Sequence, residues 1–334
     1  MHMADALISP VVGGTTWAVS AGLIGWCARK VKRFQDDRLV PMMGVLGAFI
    51  FTAQMINFSI PVTGSSGHLG GGLILTILLG PYAAVLVIAS VLTVQALFFA
   101  DGGLLALGCN IFNLGFFPAF IAYPLFYRPI AGQARMGGRA WSAAVVAGVV
   151  GLQLGAFGVV VESKLSGIAE LPFNTFVLIM QPIHLAIGIV EGLATAAVVA
   201  FIARARPEAL EVGAEVDRDL RARSAHPCPP HAPDAARRSA STLGNQARSL
   251  RPVLIGLLVA ALILGGVVSW FASTHPDGLE WSIAKVTGKE VSPSEPWPAV
   301  NVGTSVSGIA GGFLTLALAI LIGVGLKTHK KVKP

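Results

Sequence analysis

The chain has 334 residues, 54% of them hydrophobic and 12% charged, with a formal net charge of +7. A mean hydropathy of +0.72 excludes an ordinary soluble domain, and apolar runs near the ~20 residues that cross a bilayer recur along the chain. The basic balance, pI about 9.6, reflects membrane orientation and not nucleic-acid binding, because the cations gather in alternate loops.

In chain order, nine helical spans are predicted: Val11 to Ala28, Pro41 to Phe58, Gly70 to Leu79, Tyr82 to Phe99, Leu107 to Phe126, Trp141 to Val161, Phe173 to Ala203, Pro252 to Ala272 and Thr304 to Leu326. The third and fourth are read as two helices parted at Gly80-Pro81 and not as one kinked helix. With the loop of Arg29, Lys30, Lys32, Arg33 and Arg38 inside, 21 of the 24 Lys and Arg then face the cytoplasm; only Lys164, Lys285 and Lys289 lie outside. That asymmetry fits the positive-inside rule, and merging the two spans would place basic loops on both sides. The N-terminus and the loop Ser59 to Leu69 are therefore expected outside and the C-terminus in the cytoplasm. The basic cluster follows the first apolar span, so no cleavable signal peptide is expected.

The chemistry concentrates at two places on that outer side. At Met1-His2-Met3, the Met1 amine, the His2 amide nitrogen and the His2 Nδ1 can close fused chelate rings around one cation. His68, in GSSGHLGGG (Gly64 to Gly72), would complete four nitrogens in a plane. Nitrogen-rich planar ligation favours Cu(II) or Ni(II) over Mg or Ca. Cys27, Cys109 and Cys228 are odd in number and lack a CxxC neighbour, which argues against a disulfide framework and a thiolate metal site. No GxxxxGK[ST] loop is present, so energy must come from a partner or a gradient.

Met1-His2, the run MADALISP, the loop GSSGHLGGG and the segment QALFFADGGLLALGCNIFN (Gln95 to Asn113) resemble the NikM/CbiM-type substrate-binding subunits of nickel and cobalt energy-coupling factor transporters. HPDGLEWSI (His275 to Ile283) resembles the small NikN-like companion, with its PDGLE motif, that some of these systems fuse to the binder. The resemblance implies an all-α polytopic membrane protein of the bacterial cytoplasmic (inner) membrane. A seven-helix metal-binding domain (1–207) would be followed by a flexible cytoplasmic linker (208–251) and a two-span region (252–334). It implies metal ligands Met1, His2 and His68, no intrinsic cofactor, and import of Ni(II), with Co(II) the alternative, as the transported substrate. The implied partners are a transmembrane coupling subunit and cytoplasmic ATPase subunits, so the chain itself would not be an enzyme.

A rival reading is a rhomboid-like intramembrane serine protease, with Ser66 of Gly64-Ser65-Ser66-Gly67 as nucleophile and His184, ahead of Gly188 and Gly192, as base. It leaves the Met1-His2 end and PDGLE unexplained. His184 and Glu191 are polar, share one helix face and sit inside a span, which admits either hydrogen bonding between helices or a role in transport. Ala18, Ala21 and Gly25 form a flat face for internal packing or for a partner helix. His226, Cys228 and His231 read as part of a solvated linker, and the acids of Glu162 to Glu170 and Asp277 to Glu295 as exposed external loops.

Overall fold

A computed structural model describes residues 2–34, 36–61, 63–134, 136–169, 171–215, 250–273, 275–288 and 304–327. Met1, His226, Cys228 and His231 lie outside the described residues. Helix α1 (Pro10–Lys32) opens on Ser9, whose side chain accepts from the Val12 amide, with Pro10 in the first turn. There follow α2 (Leu39–Gln54), a hairpin of β1 (Phe58–Ile60) and β2 (Ser65–Gly67), α3 (Gly72–Leu79) and α4 (Pro81–Phe98). Helices α5 (Leu107–Ala131), α6 (Gly138–Ser166) and α7 (Phe173–Ala205) come next, then α8 (Arg251–Gly266), α9 (Gly278–Thr287) and α10 (Thr304–Leu326). Six of these, α1, α4, α5, α6, α7 and α10, are long and apolar enough to cross a bilayer. The chain is an all-helical polytopic membrane protein.

Gly70 to Ala100 forms two helices. Gly80, at φ 79° and ψ 162°, ends α3, and Pro81 opens α4. With eight residues, α3 is only about 12 Å long, too short to cross a core of about 30 Å. The chain enters the bundle as a hairpin and a glycine run, and only the inner part of this passage is helical.

The two ends of the bundle gather different loops. At one, Lys327 Nζ lies 2.7 Å from Asp37 Oδ1 and Arg38 Nη2 lies 3.0 Å from Glu215 Oε2. At the other, His2 meets Asp101, Ser59 Oγ donates to Ser273 Oγ at 2.9 Å, and the Ser66 amide donates to the Pro276 carbonyl at 2.8 Å. Loops predicted on one side of the membrane therefore share one end of the bundle.

Three expectations are corrected. Residues 208–215, expected to begin a flexible linker, are helical: Ala209, Leu210 and Val212 are buried. Gly213 approaches α3 so closely that a Cβ would lie 2.6 Å from the Ile77 carbonyl. Those apolar residues precede the arginine-rich stretch and bury along a short helix of about two turns. Glu162 is not an exposed loop acid; α6 runs past it, and it is buried, accepting from Asn113 Nδ2 at 2.8 Å. Asp277 is half-buried and caps α9.

The C-terminal spans pack on α2 through glycine contacts, as small residues allow between membrane helices. A Cβ on Gly311 would fall 2.0 Å from Phe51 Cζ, and one on Gly44 2.5 Å from Ile320 Cγ1. By contrast, Ala18 and Ala21 on α1 are exposed, and a Cβ on Gly25 would meet nothing within 4 Å. That small face does not serve packing among the described residues.

Candidate metal centre

The site starts from how the N-terminal segment is held. Met3 is fully buried, and Asn110 of α5 takes both of its backbone groups: the Met3 amide donates to Oδ1 at 2.8 Å, and Nδ2 donates to the Met3 carbonyl at 3.2 Å. The Gly103 amide donates to the same carbonyl at 2.9 Å, and Asp5 Oδ1 accepts from the Ala106 amide at 3.0 Å. The segment after α4 is shaped to receive it. Ala100, at φ 51°, is the only non-glycine with positive φ among the described residues, and Gly102 sits at φ 88°. A Cβ on Gly103 would lie 1.8 Å from Asp5 Oδ1, so only glycine fits there.

Held this way, the His2 ring stands 4.6 Å from that of His68, centroid to centroid, with a tilt of 35°. Both are nearly buried, at 9% and 8% exposure. His2 Nδ1 is bonded to Asp101 Oδ1 at 2.7 Å, and its Nε2 is buried without a hydrogen-bond partner. His68 Nδ1–H donates to the Leu69 carbonyl at 3.1 Å, a tautomer that puts the lone pair on Nε2. Burial drives His68 down to about 3, and the neighbouring His2 charge acts the same way against the opposing pull of Asp101 and Asp277. Burial alone would raise the Asp101 carboxyl, but the His2 and His68 imidazoles outweigh it and hold it at about 2.

The structure thus brings His2 and His68 together. Asp101 occupies the Nδ1 expected in the chelate, so closing those rings requires His2 to release that bond. Among the described residues no group of three His, Cys, Asp or Glu side chains could hold a metal ion. A metal between His2 and His68 needs donors of another kind, and the expected ones are the His2 amide nitrogen and the Met1 amine.

The PDGLE segment covers this region. Besides the Ser66 amide bond to Pro276, Ser66 Oγ donates to the His275 carbonyl at 2.8 Å. Asp277 Oδ1 accepts from the Leu279 and Glu280 amides, both at 2.8 Å, and Glu280 returns a bond to the Asp277 amide, a complete capping box. Burial works to raise the Asp277 carboxyl, but positive charge at the site, His68 included, holds it well below the usual carboxylate range. Gly278 lies against α7, where a Cβ would come within 2.7 Å of Ile183 Cγ2 and 3.3 Å of His184 Cε1.

Sequence reasoning assigned no role to Asp101 or Asn110. A signal for the first existed: Asp101 is the only Asp, Glu, Lys or Arg between Arg38 and Arg128. Such an isolated charge in a membrane protein marks function by default. The protease pair is not assembled. Ser66 Oγ is committed to His275, and His184 Nδ1 is bonded to the Met180 carbonyl at 2.9 Å.

Residues 2–209 match the family model CbiM, the cobalt uptake substrate-specific transmembrane region. The chain belongs to the CbiM family. Residues 251–300 match the PDGLE domain, so this CbiM region is fused to the companion that the sequence motif suggested. A chain of Archaeoglobus fulgidus, provisionally named fused nickel transport protein NikMN, is 37% identical over 63% of this chain and 68% of its own length. The fused nickel transport protein NikMN of Rhodobacter capsulatus is 32% identical over 63% of this chain and 64% of its own. Among solved structures, a truncated transition metal transporter is 30% identical with a TM-score of 0.54, covering 61% of this chain and 99% of that one. This CbiM-family chain is thus similar to proteins of nickel and cobalt transport, and its relatives support a role in metal uptake.

Proposed function

We propose that this chain is the substrate-specific subunit of an ATP-driven energy-coupling factor importer that captures Ni(II), ahead of Co(II), on the outer face of a bacterial cytoplasmic membrane. The observation that carries this is the buried pair His2 and His68, 4.6 Å apart at the end of the bundle opposite the basic loops. The Met1 amine, the His2 amide nitrogen, the His2 ring and His68 supply four nitrogens, a set whose planar geometry suits Ni(II) better than Co(II). The positive-inside rule puts the site end outside and the end with Arg38 and Lys327 in the cytoplasm. Residues 1–207 bind the metal, the stretch that follows the 208–215 helix links, and 252–334 lay the PDGLE segment over the site. Hydrolysis belongs to cytoplasmic ATPase partners, reached through a transmembrane coupling subunit.

The test uses the full chain starting at its own Met1, purified for Ni(II) titration and expressed with and without coupling and ATPase subunits for uptake of radioactive nickel. His68→Ala should abolish binding, Ser66→Ala should retain it, and sustained uptake should need the ATPase. Full Ni(II) and Co(II) binding by His68→Ala, or proteolysis of a transmembrane substrate that disappears with Ser66→Ala, would overturn the proposal.

A further inference from the structure

Seven residues beyond His184 on α7, Glu191 is buried at 2% exposure in the middle of a helix that crosses the bundle. Its position is set by close helix packing. The glycines beside it, Gly188 and Gly192, bring α7 onto α6 so tightly that a Cβ on Gly192 would lie 2.3 Å from Val145 Cα. Both carboxylate oxygens are used: Oε2 accepts from the Gly70 amide at 2.8 Å and Oε1 from the Gly71 amide at 2.9 Å. These are the amides two and three residues after His68, at the start of α3, where a carboxylate also meets the positive end of the helix dipole.

The glycine run exists for this approach. Gly71 is at φ 74°, and a Cβ there would come 2.6 Å from Ile50 Cγ2; one on Gly72 would come 2.4 Å from the Leu114 carbonyl. Without side chains, the backbone threads between α2 and α5 and offers its amides to α7. From the same residue a second connection leaves. The Gly70 carbonyl accepts from Gln54 Nε2 at 2.7 Å, and Gln54 Oε1 accepts from Gln95 Nε2 at 2.9 Å. The Gln95 carbonyl in turn accepts from the Asp101 amide at 3.2 Å, and Asp101 holds His2.

We propose that Glu191 is a positioning residue of the metal site. By fixing the Gly70 and Gly71 amides it sets where the His68 imidazole stands, and through Gln54 and Gln95 it ties the His68 loop to the loop that holds His2. Packing of α7 on α6 would need only the glycines; a carboxylate aimed at two amides beside a ligand loop serves the loop. Buried polar networks constrain an arrangement through the bonds they make; here Gln95 Oε1 is left without a partner among the described residues. Changing outer groups that orient metal ligands typically costs about 10- to 100-fold in metal affinity.

This inference rests on metal binding by His2 and His68, and its test separates the two. The full chain, with its own Met1 and in lipid nanodiscs, is titrated with Ni(II) while the ligand-field absorption of the bound ion is recorded. Glu191→Gln keeps one acceptor but turns an NH2 group on the other amide. It should weaken binding by about 10- to 100-fold and change the absorption of the bound Ni(II), with helical content retained. Gln54→Met, which cuts the same loop from its other side, should move both readouts in the same direction by less. A residue serving only the fold would lower the thermal midpoint and leave the affinity and spectrum of the folded protein as in the parent. That result, or failure of both variants to fold, overturns the inference, whereas absence of Ni(II) binding by the parent overturns the proposed function.

Discussion

The two regions of this chain are held together by different physics. Around His2 and His68, backbone amides and buried polar side chains are bonded one to one: Asn110 with Met3, Asp101 with His2, Glu191 with Gly70 and Gly71. The C-terminal spans instead meet α2 glycine to side chain, Gly311 of α10 against Phe51 and Ile320 of α10 against Gly44, with packing as the adhesive. Polar bonds have direction and fix where a ligand atom stands, whereas close packing fixes only that two helices stay together. Among the described residues, the C-terminal region makes its directed bonds at the site end along the β1–β2 hairpin, where His275 and Pro276 meet Ser66 and Ser273 meets Asn57 and Ser59. Attachment and control of the site are therefore separable.

That separation can be broken from either side. The largest effect should come from Gly103→Val, whose Cβ would fall 1.8 Å from Asp5 Oδ1. It displaces the N-terminal segment from its cradle and should cost more than about 100-fold in Ni(II) affinity, beyond the range typical of outer-shell changes, while circular dichroism still reports a folded bundle. Next comes Asn110→Ala, which strips both bonds from Met3. A calorimetric loss of about 10- to 100-fold is expected, and an unchanged affinity would mean that the clamp does not serve the site.

On the other side, Gly311→Val forces a methyl into Phe51 and should destabilise the C-terminal packing by about 1–3 kcal/mol. Thermal unfolding in detergent would report it, and Ni(II) affinity should stay within about threefold. A large loss of affinity would erase the distinction between the two regions. The smallest effect concerns pH in the metal-free protein. His68 moves from 6.5 to about 3 on folding, so the unfolded chain binds the extra proton between those values. The His68 contribution should therefore disfavour the folded state as pH drops below 6.5 and vanish above it. His68→Asn should remove that contribution, making the variant's loss of stability toward low pH smaller than the parent's in a series of melting curves.

Much of this was legible in the sequence, and the exceptions have physical causes. Long apolar runs announce helices whatever their neighbours, so α1, α4, α6, α7 and α10 were readable. Alternation of basic loops then put His2 and His68 at one end. The short third helix was legible as Gly70 to Leu79; only its start was not, because an apolar run does not say that winding begins at Gly72. Asp277-Gly278-Leu279-Glu280 carries the spacing of a capping box, but nothing local says that the box sits over the His68 hairpin. Asp101, Asn110 and Glu191 are single polar residues in apolar surroundings. Their partners are 99, 107 and 121 positions away, beyond any periodicity.

Nitrogen ligation of the metal by the chain's first residues, placed beside His68, is the core of the proposed function. It is tested most directly by titrating Ni(II) into two purified proteins, one starting at Met1 and one carrying a single extra residue ahead of it. The extra residue turns the chelating amine into an amide and leaves every side chain in place. The extended protein should stay folded and lose Ni(II) affinity by more than about 100-fold, about 2.7 kcal/mol or more. Equal affinity in the two proteins would contradict the account and place the metal elsewhere.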